Sequence, residues 1–259
     1  MEKRPLGNTG IAVSVLGLGT VKFGRNQDVK YPNAFSIPDD KDIQKLLGLA
    51  QDLGINLLDT APSYGNSEER LGKLLKNHRQ DWVIVTKVGE EYQEGISTFN
   101  FSKEHTEMSI KRSLKRLKTD YLDAVLVHSD GNDVYNIEHF GILKTLATLK
   151  QQGYIRSFGM STKTVAGGML TLAESDIAMV TYNPIDTTEH SIIQQAHTLN
   201  KGILIKKALA SGHIEKIPGK DPIQTSLQFI LKEPAVSSII LGTIQALHLK
   251  HNVACLTRD

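Results

Sequence analysis

Short β-branched runs that alternate with amphipathic stretches along the whole chain predict a (β/α)8 barrel, an α/β fold, preceded by an N-terminal β-hairpin. The predicted strand ends fall near residues 59, 87, 128, 161, 182, 206 and 242, close to the spacing of about 31 residues that eight units in ~250 residues require. The first strand-to-helix turn also lacks a dinucleotide fingerprint. Gly17-Leu18-Gly19 continues as Thr20-Val21-Lys22 and the next glycine is Gly24, so these glycines read as turn formers and an open doubly wound sheet is disfavoured. No composition shift or linker divides the chain, and one domain over residues 1–259 is expected.

The elements follow in order. Residues 4–15 open with Gly7-Asn8-Thr9-Gly10, a hairpin turn, and residues 15–19 form the first inner strand. After the acidic start Pro38-Asp39-Asp40, Ile43, Leu46, Leu47 and Ala50 share one helical face, and Gly54 stops that helix. Strand 55–59 leads to helix 67–75, which opens with Ser67-Glu68-Glu69, and strand 83–87 leads to helix 103–117. Strands 122–128, 155–160, 177–182, 202–206 and 237–241 then alternate with helices 141–151, 165–173, 191–200, 223–231 and 245–256. Trp82 begins a strand, the wrong end for a site at the barrel mouth, and is read as packing.

Composition narrows the partners. At 40% hydrophobic and 22% charged residues the chain can build a full core, and a net charge of +2 without a basic run leaves no footprint for nucleic acid or an anionic membrane. The longest apolar runs, such as Ile239-Ile240-Leu241, are far short of the ~18 residues of a membrane span. Met1-Glu2-Lys3-Arg4-Pro5 leads into no apolar segment, and Cys255 is the single cysteine, so a reducing, cytoplasmic setting is expected. A small molecule is the expected partner, bound by a monomer or weak oligomer.

Barrel enzymes place their chemistry at the C-terminal ends of strands. Three neighbouring predicted strands here finish with titratable groups, Asp59, Lys87 and His128, and Tyr64 lies five residues past the first. Each alone has a bland reading, as a turn cap, a solvated lysine or a core histidine. Together they converge on one spot. A lysine cation beside a phenol stabilises phenolate and lowers its pKa, Asp59 would hold Lys87 in place, and His128 would be a second donor orienting a carbonyl. Such a set suits carbonyl reduction.

The motifs Leu16-Gly17-Leu18-Gly19-Thr20, residues 54–68 (with Asp59-Thr60-Ala61-Pro62-Ser63-Tyr64-Gly65), Val85-Thr86-Lys87, Leu126-Val127-His128 and residues 155–161 resemble those of the aldo-keto reductase family, over nearly the full chain. The resemblance implies hydride transfer between NADP(H) and the carbonyl carbon of an aldehyde or ketone. It implies Tyr64 as proton donor, the Lys87–Asp59 pair tuning it and His128 holding the carbonyl. It also implies a cofactor extended across the barrel mouth, along Gly19 and Thr20.

The cofactor side departs from the family pattern. Where a Ser-Asn pair is usual the chain has Ser161-Thr162, where a glutamine is usual it has Met179, and where an aromatic stacks it has Lys206. Lys206 is instead expected to reach the pyrophosphate, and Gly242-Thr243 to hold a phosphate at the start of the last helix. Further on, His248 stands where an arginine is common, near Asn252, so NAD(H) competes with NADP(H) on this reading. His248 and His251 are spaced for one helical face, but with no further ligand in view no metal is expected. Val21, Tyr92 and Ser129, with the segments 23–38 and 129–135, are the expected substrate walls. Because the chain ends soon after the last helix, that pocket is expected to be open. The altered nicotinamide contacts leave a second reading, a cofactor-binding sensor or regulatory subunit with weak turnover.

Overall fold

The computed structural model describes residues 1–256. An antiparallel hairpin, β1 (Lys3–Pro5) and β2 (Ala12–Ser14), precedes the barrel strands β3 (Leu16–Gly19) and β4 (Leu57–Asp59), with α1 (Asp40–Asp52) between them and α2 (Ser67–Leu74) after. Then come β5 (Val83–Val88), a second hairpin of β6 (Glu90–Gln93) and β7 (Ile96–Phe99), α3 (Lys103–Leu117) and β8 (Leu122–His128). The chain continues through α4 (Asp133–Glu138), α5 (Ile142–Gln151), β9 (Ile155–Ser161), α6 (Val165–Glu174), β10 (Ile177–Thr181) and α7 (His190–Leu199). β11 (Gly202–Lys206), α8 (Pro222–Leu231), β12 (Val236–Leu241) and α9 (Ala246–Ala254) complete it.

Eight strands close into a parallel barrel, β3-β4-β5-β8-β9-β10-β11-β12, sealed where β12 pairs with β3 through Ile239↔Leu16 and Leu241↔Leu18. The (β/α)8 expectation with its leading hairpin therefore holds. Side chains alternate along each strand: Leu57, Val85 and Leu126 belong to the inner core, whereas Leu58, Ile84 and Val125 pack outward against the helices. Each such buried aliphatic side chain contributes about 1.5–3 kcal/mol through its removal from water. The first hairpin plugs the barrel floor with Leu6, Ile11 and Val13, and is tied to β12 by Ser237 Oγ donating to the Pro5 carbonyl at 2.8 Å. Trp82 is buried in the helix-facing core, as its position predicts.

Helix starts follow capping chemistry. Asp39, Ser102, Thr164 and Asp221 each accept a backbone N–H with their side chains at the starts of α1, α3, α6 and α8. Two elements go beyond the sequence reading. One is α4, which begins within the segment 129–135 expected to be a substrate wall and runs beyond it. The other is the β6–β7 hairpin, whose turn is made by Glu94 (φ 49°) and Gly95 (φ 84°), a left-handed pair suited to a two-residue hairpin loop.

Candidate active site

Strand parity sends three ionisable groups to the same end of the barrel interior. Asp59 shares the inward face with Leu57, Lys87 with Val85, and His128 with Leu126. Because Asp59 is opposite Val85, Lys87 lies one inward step further along β5 and bends back over the carboxylate. Its Nζ donates to Asp59 Oδ1 at 2.6 Å and to the Thr60 carbonyl at 2.9 Å, and both side chains of the pair are buried.

Tyr64 comes from the β4–α2 loop. There Ser67 Oγ donates to Thr20 Oγ1 at 2.8 Å, Thr60 Oγ1 donates to Ser67 Oγ at 3.1 Å, and the buried Glu68 carboxylate accepts from Thr86 Oγ1 at 2.7 Å. Gly24 packs so closely on the Tyr64 carbonyl that a Cβ would overlap it. The phenol is thereby held with Lys87 Nζ 4.8 Å from its ring centroid and the His128 ring 6.2 Å away, edge to face. The four groups named from sequence thus meet at one floor of a cavity of about 760 Å³.

A fifth ionisable group at this floor was missed. Glu90, at the start of β6, places Oε2 2.6 Å from His128 Nδ1 and accepts from Ser63 Oγ at 2.9 Å and, on Oε1, from Ser97 Oγ at 2.7 Å. Arg25 sits 3.6 Å from the same carboxylate, and its guanidinium lies over the Tyr92 ring at 3.6 Å. Burial would raise the Glu90 carboxyl, but the bonds from His128, Ser97 and Ser63 bring it down to about 2. Burial holds His128 below its ordinary value, with Glu90 pulling the other way. Glu90 is therefore a carboxylate at neutral pH, Nδ1 is the donor to it, and the neutral ring keeps a lone pair on Nε2.

The expected lowering of the tyrosine pKa does not occur. Burial pushes the Tyr64 phenol well above its ordinary value, and the negative charges of Asp59 and Glu90 add to that, against Arg25. Burial is the largest cause, and the Lys87 charge, shared with Asp59 at 2.6 Å, does not offset it.

The rest of the cavity runs toward β12 and α9. Gly19, Thr20, Ser161, Met179, Lys206, Gly242, Thr243, His248 and Asn252 all line it, as do Val21 and Ser129. Thr162 and Tyr92 do not. Thr162 is buried with its hydroxyl turned to Glu189 at 2.8 Å, and Tyr92 is occupied by Arg25. Lys206 bonds Ser161 Oγ at 3.0 Å and the Thr162 carbonyl, so its amine lies by the strand ends of β9 and not out along the phosphate path. Burial brings its pKa down to about 8. Lys22, Lys30, Lys163 and Lys207 add positive charge to the walls. Asn252 Oδ1 is buried without a hydrogen-bond partner, and α9 begins with no side-chain cap. From the first strand the segment 24–39 crosses the mouth, setting the Tyr31 hydroxyl against Gly242 and Pro32 against Gly212.

The model of the Aldo/keto reductase family matches residues 15–217. A solved structure of a Pseudomonas aeruginosa protein assigned to the aldo-keto reductases is 53% identical, with a TM-score of 0.89, over 98% of this chain and 94% of that one. The uncharacterized oxidoreductase YqkF of Bacillus subtilis is 29% identical over 98% of this chain and 90% of its own length. The NADH-specific methylglyoxal reductase of Escherichia coli is 31% identical over 72% of this chain and 60% of its own. Among the described residues no helix is long and apolar enough to cross a membrane.

Proposed function

The chain belongs to the aldo/keto reductase family, and from that premise we propose that it interconverts a small aldehyde or ketone and its alcohol with NADP(H), NAD(H) competing, Tyr64 handling the proton. The observation that carries this reading is the meeting of Tyr64, Lys87 and His128 at the closed end of a cavity whose other end offers phosphate-suited groups.

The residues present fit a dinucleotide. A buried, partnerless Asn252 Oδ1 suits an amino group such as adenine's, and the lysine-rich wall with the uncapped start of α9 suits phosphates. Gly242, Thr243, His248 and Asn252 would hold the nucleotide end, and Ser161, Met179 and Lys206 the nicotinamide end. When bound, the nicotinamide supplies or accepts the hydride.

The chain's own groups manage the proton. In reduction Tyr64 donates its phenolic proton to the carbonyl oxygen as that oxygen gains charge, and the Lys87 cation 4.8 Å from the ring stabilises the phenolate left behind. Asp59 keeps Lys87 aimed. His128, its proton fixed on Nδ1 by Glu90, presents Nε2 as an acceptor when neutral and as a donor only when protonated. It therefore assists alcohol oxidation in the neutral form and carbonyl reduction in the charged form. The raised Tyr64 pKa keeps the donor protonated throughout the neutral range.

His248 supplies fewer donors than an arginine fork, which supports competition by NAD(H), and an NADH-specific relative is consistent with that. Steady-state oxidation of NADPH and NADH against a panel of aldehydes and ketones tests the proposal. Turnover with at least one carbonyl, lost in Tyr64→Phe, is expected. Silence across the panel despite tight cofactor binding overturns it in favour of the sensor reading, which the engagement of Lys206 with Ser161 and Thr162 favours.

A further inference from the structure

Away from the cavity floor, three dissimilar metal-binding side chains converge between α8 and α9. Asp221 Oδ2, His251 Nε2 and Cys255 Sγ form a triangle with edges of 3.3 Å for nitrogen to oxygen, 3.6 Å for sulfur to nitrogen and 3.7 Å for sulfur to oxygen. We infer that this triangle is a zinc-binding site that fastens the last helix to its neighbour. The inference is independent of the redox reading.

The edges carry the argument. Ligand distances of about 2.3 Å for sulfur, ~2.05 Å for imidazole nitrogen and ~2.0 Å for carboxylate oxygen, at tetrahedral angles, give edges of roughly 3.3, 3.6 and 3.5 Å. The observed triangle is nearly one face of that tetrahedron. The imidazole–carboxylate separation of 3.3 Å is longer than the about 2.7–2.9 Å of a charge-assisted N–H···O bond, while the two sulfur contacts are of ordinary thiol hydrogen-bond length. All three ligand atoms lie within 4.8 Å of one another, so a metal would take the place of the thiol's hydrogen bonds.

Each ligand is also held in place. Asp221 Oδ1 accepts from the Ile223 and Gln224 N–H groups, both at 3.1 Å, as the cap of α8, and this fixes the carboxylate plane so that Oδ2 faces α9. His251 and Cys255 are one helical turn apart on α9 and so share a face. Cys255 is buried while Asp221 and His251 are partly exposed, leaving a route from solvent. A thiolate with an imidazole and a carboxylate selects zinc over magnesium or calcium, and three protein ligands leave the fourth position to water. On binding, the Cys255 thiol gives its proton to solvent and a sulfur lone pair forms the metal bond, with no change of oxidation state. From sequence His251 pairs with His248 for want of other ligands. The fold instead brings His248 to the cavity lining and His251 to Asp221 at the start of α8.

The test uses the full-length protein, stripped of metal and titrated with Co²⁺ and then Zn²⁺. One equivalent of Co²⁺ should produce a thiolate-to-cobalt charge-transfer band with the strong d–d bands of a tetrahedral site, bleached by Zn²⁺. Zinc should raise the melting temperature. Cys255→Ser should abolish the charge-transfer band, His251→Ala should weaken Zn²⁺ binding more than ~10-fold, and Asp221→Asn, which can still cap α8, should weaken it about as much. His197→Ala, at an exposed position of α7, should bind as the parent does. Absence of the band at one equivalent overturns the site, as does a band that survives Cys255→Ser. Zn²⁺ affinity unchanged in both His251→Ala and Asp221→Asn does so as well.

Discussion

The two ends of the cavity are built on opposite plans. At the floor under β4, β5 and β8, every charged group already has its partner: Lys87 has Asp59 and Thr60, and Glu90 has His128, Ser63 and Ser97. Toward β12 and α9, polar atoms are left for something else, Asn252 Oδ1 and the uncapped start of α9 among them. On the proposed reading, a preorganised end that spends no energy rearranging during proton transfer adjoins an end whose stability improves when a ligand satisfies it. Substitutions at the floor should therefore damage the fold or the rate, and substitutions at the far end should move affinity alone.

The sharpest way to break this contrast is Lys87→Met, which leaves Asp59 buried without its counter-charge. It should cost about 3–5 kcal/mol of stability by denaturant melts along with nearly all turnover. Tyr64→Phe should lower kcat by ~10²-fold or more and leave cofactor affinity within about twofold, as measured by fluorescence titration. If cofactor affinity fell as steeply as kcat, the two ends would not be separable.

Glu90→Gln sharpens the comparison through pH. The Glu90 carboxyl is depressed from 4.5 to about 2 in the fold, so its stabilisation is complete above the unfolded value and drains away as pH falls from about 4.5 toward 2. His128 is also held down, which removes stability as pH falls below its ordinary 6.5. Melting temperatures of the parent should drop across the lower window, and those of Glu90→Gln should drop less there. The pH profile of carbonyl reduction should shift to lower pH in that variant, because a neutral amide no longer supports the imidazolium. Smaller effects belong to the far end. His248→Arg should raise the NADPH-to-NADH preference about tenfold in kcat/KM. Asn252→Ala should weaken cofactor binding a few fold while leaving the melting temperature of the cofactor-free protein unchanged or slightly higher, since it removes an orphaned acceptor.

How much of this was legible beforehand depends on how local each signal is. Asp59, Lys87 and His128 end strands whose apolar alternation is strong, so parity alone aims them inward, and the predicted strands and helices are present. Glu90 escaped because it follows the strand end in a segment of charged residues with no long periodicity. Its signal was Glu94-Gly95 between two alternating runs, and reading that pair as a hairpin turn would have brought Glu90 back to the mouth. Thr162 was placed by the family's Ser-Asn pair and Tyr92 by neighbourhood, but a buried acceptor (Glu189) and a flat cation (Arg25) claimed them. Lys206 was assigned by loop position, whereas its reach is set by Ser161 across the barrel. No sequence spacing relates Asp221 to Cys255. Only the packing of α8 on α9 does.

The β6–β7 ribbon pairs with no strand of the barrel. The residue that decides which nitrogen of His128 carries a proton thus rides on an appendage, while the histidine itself belongs to the closed ring. Exchanging a handful of residues in that flap would change the imidazole's partner while leaving every strand pairing of the barrel intact.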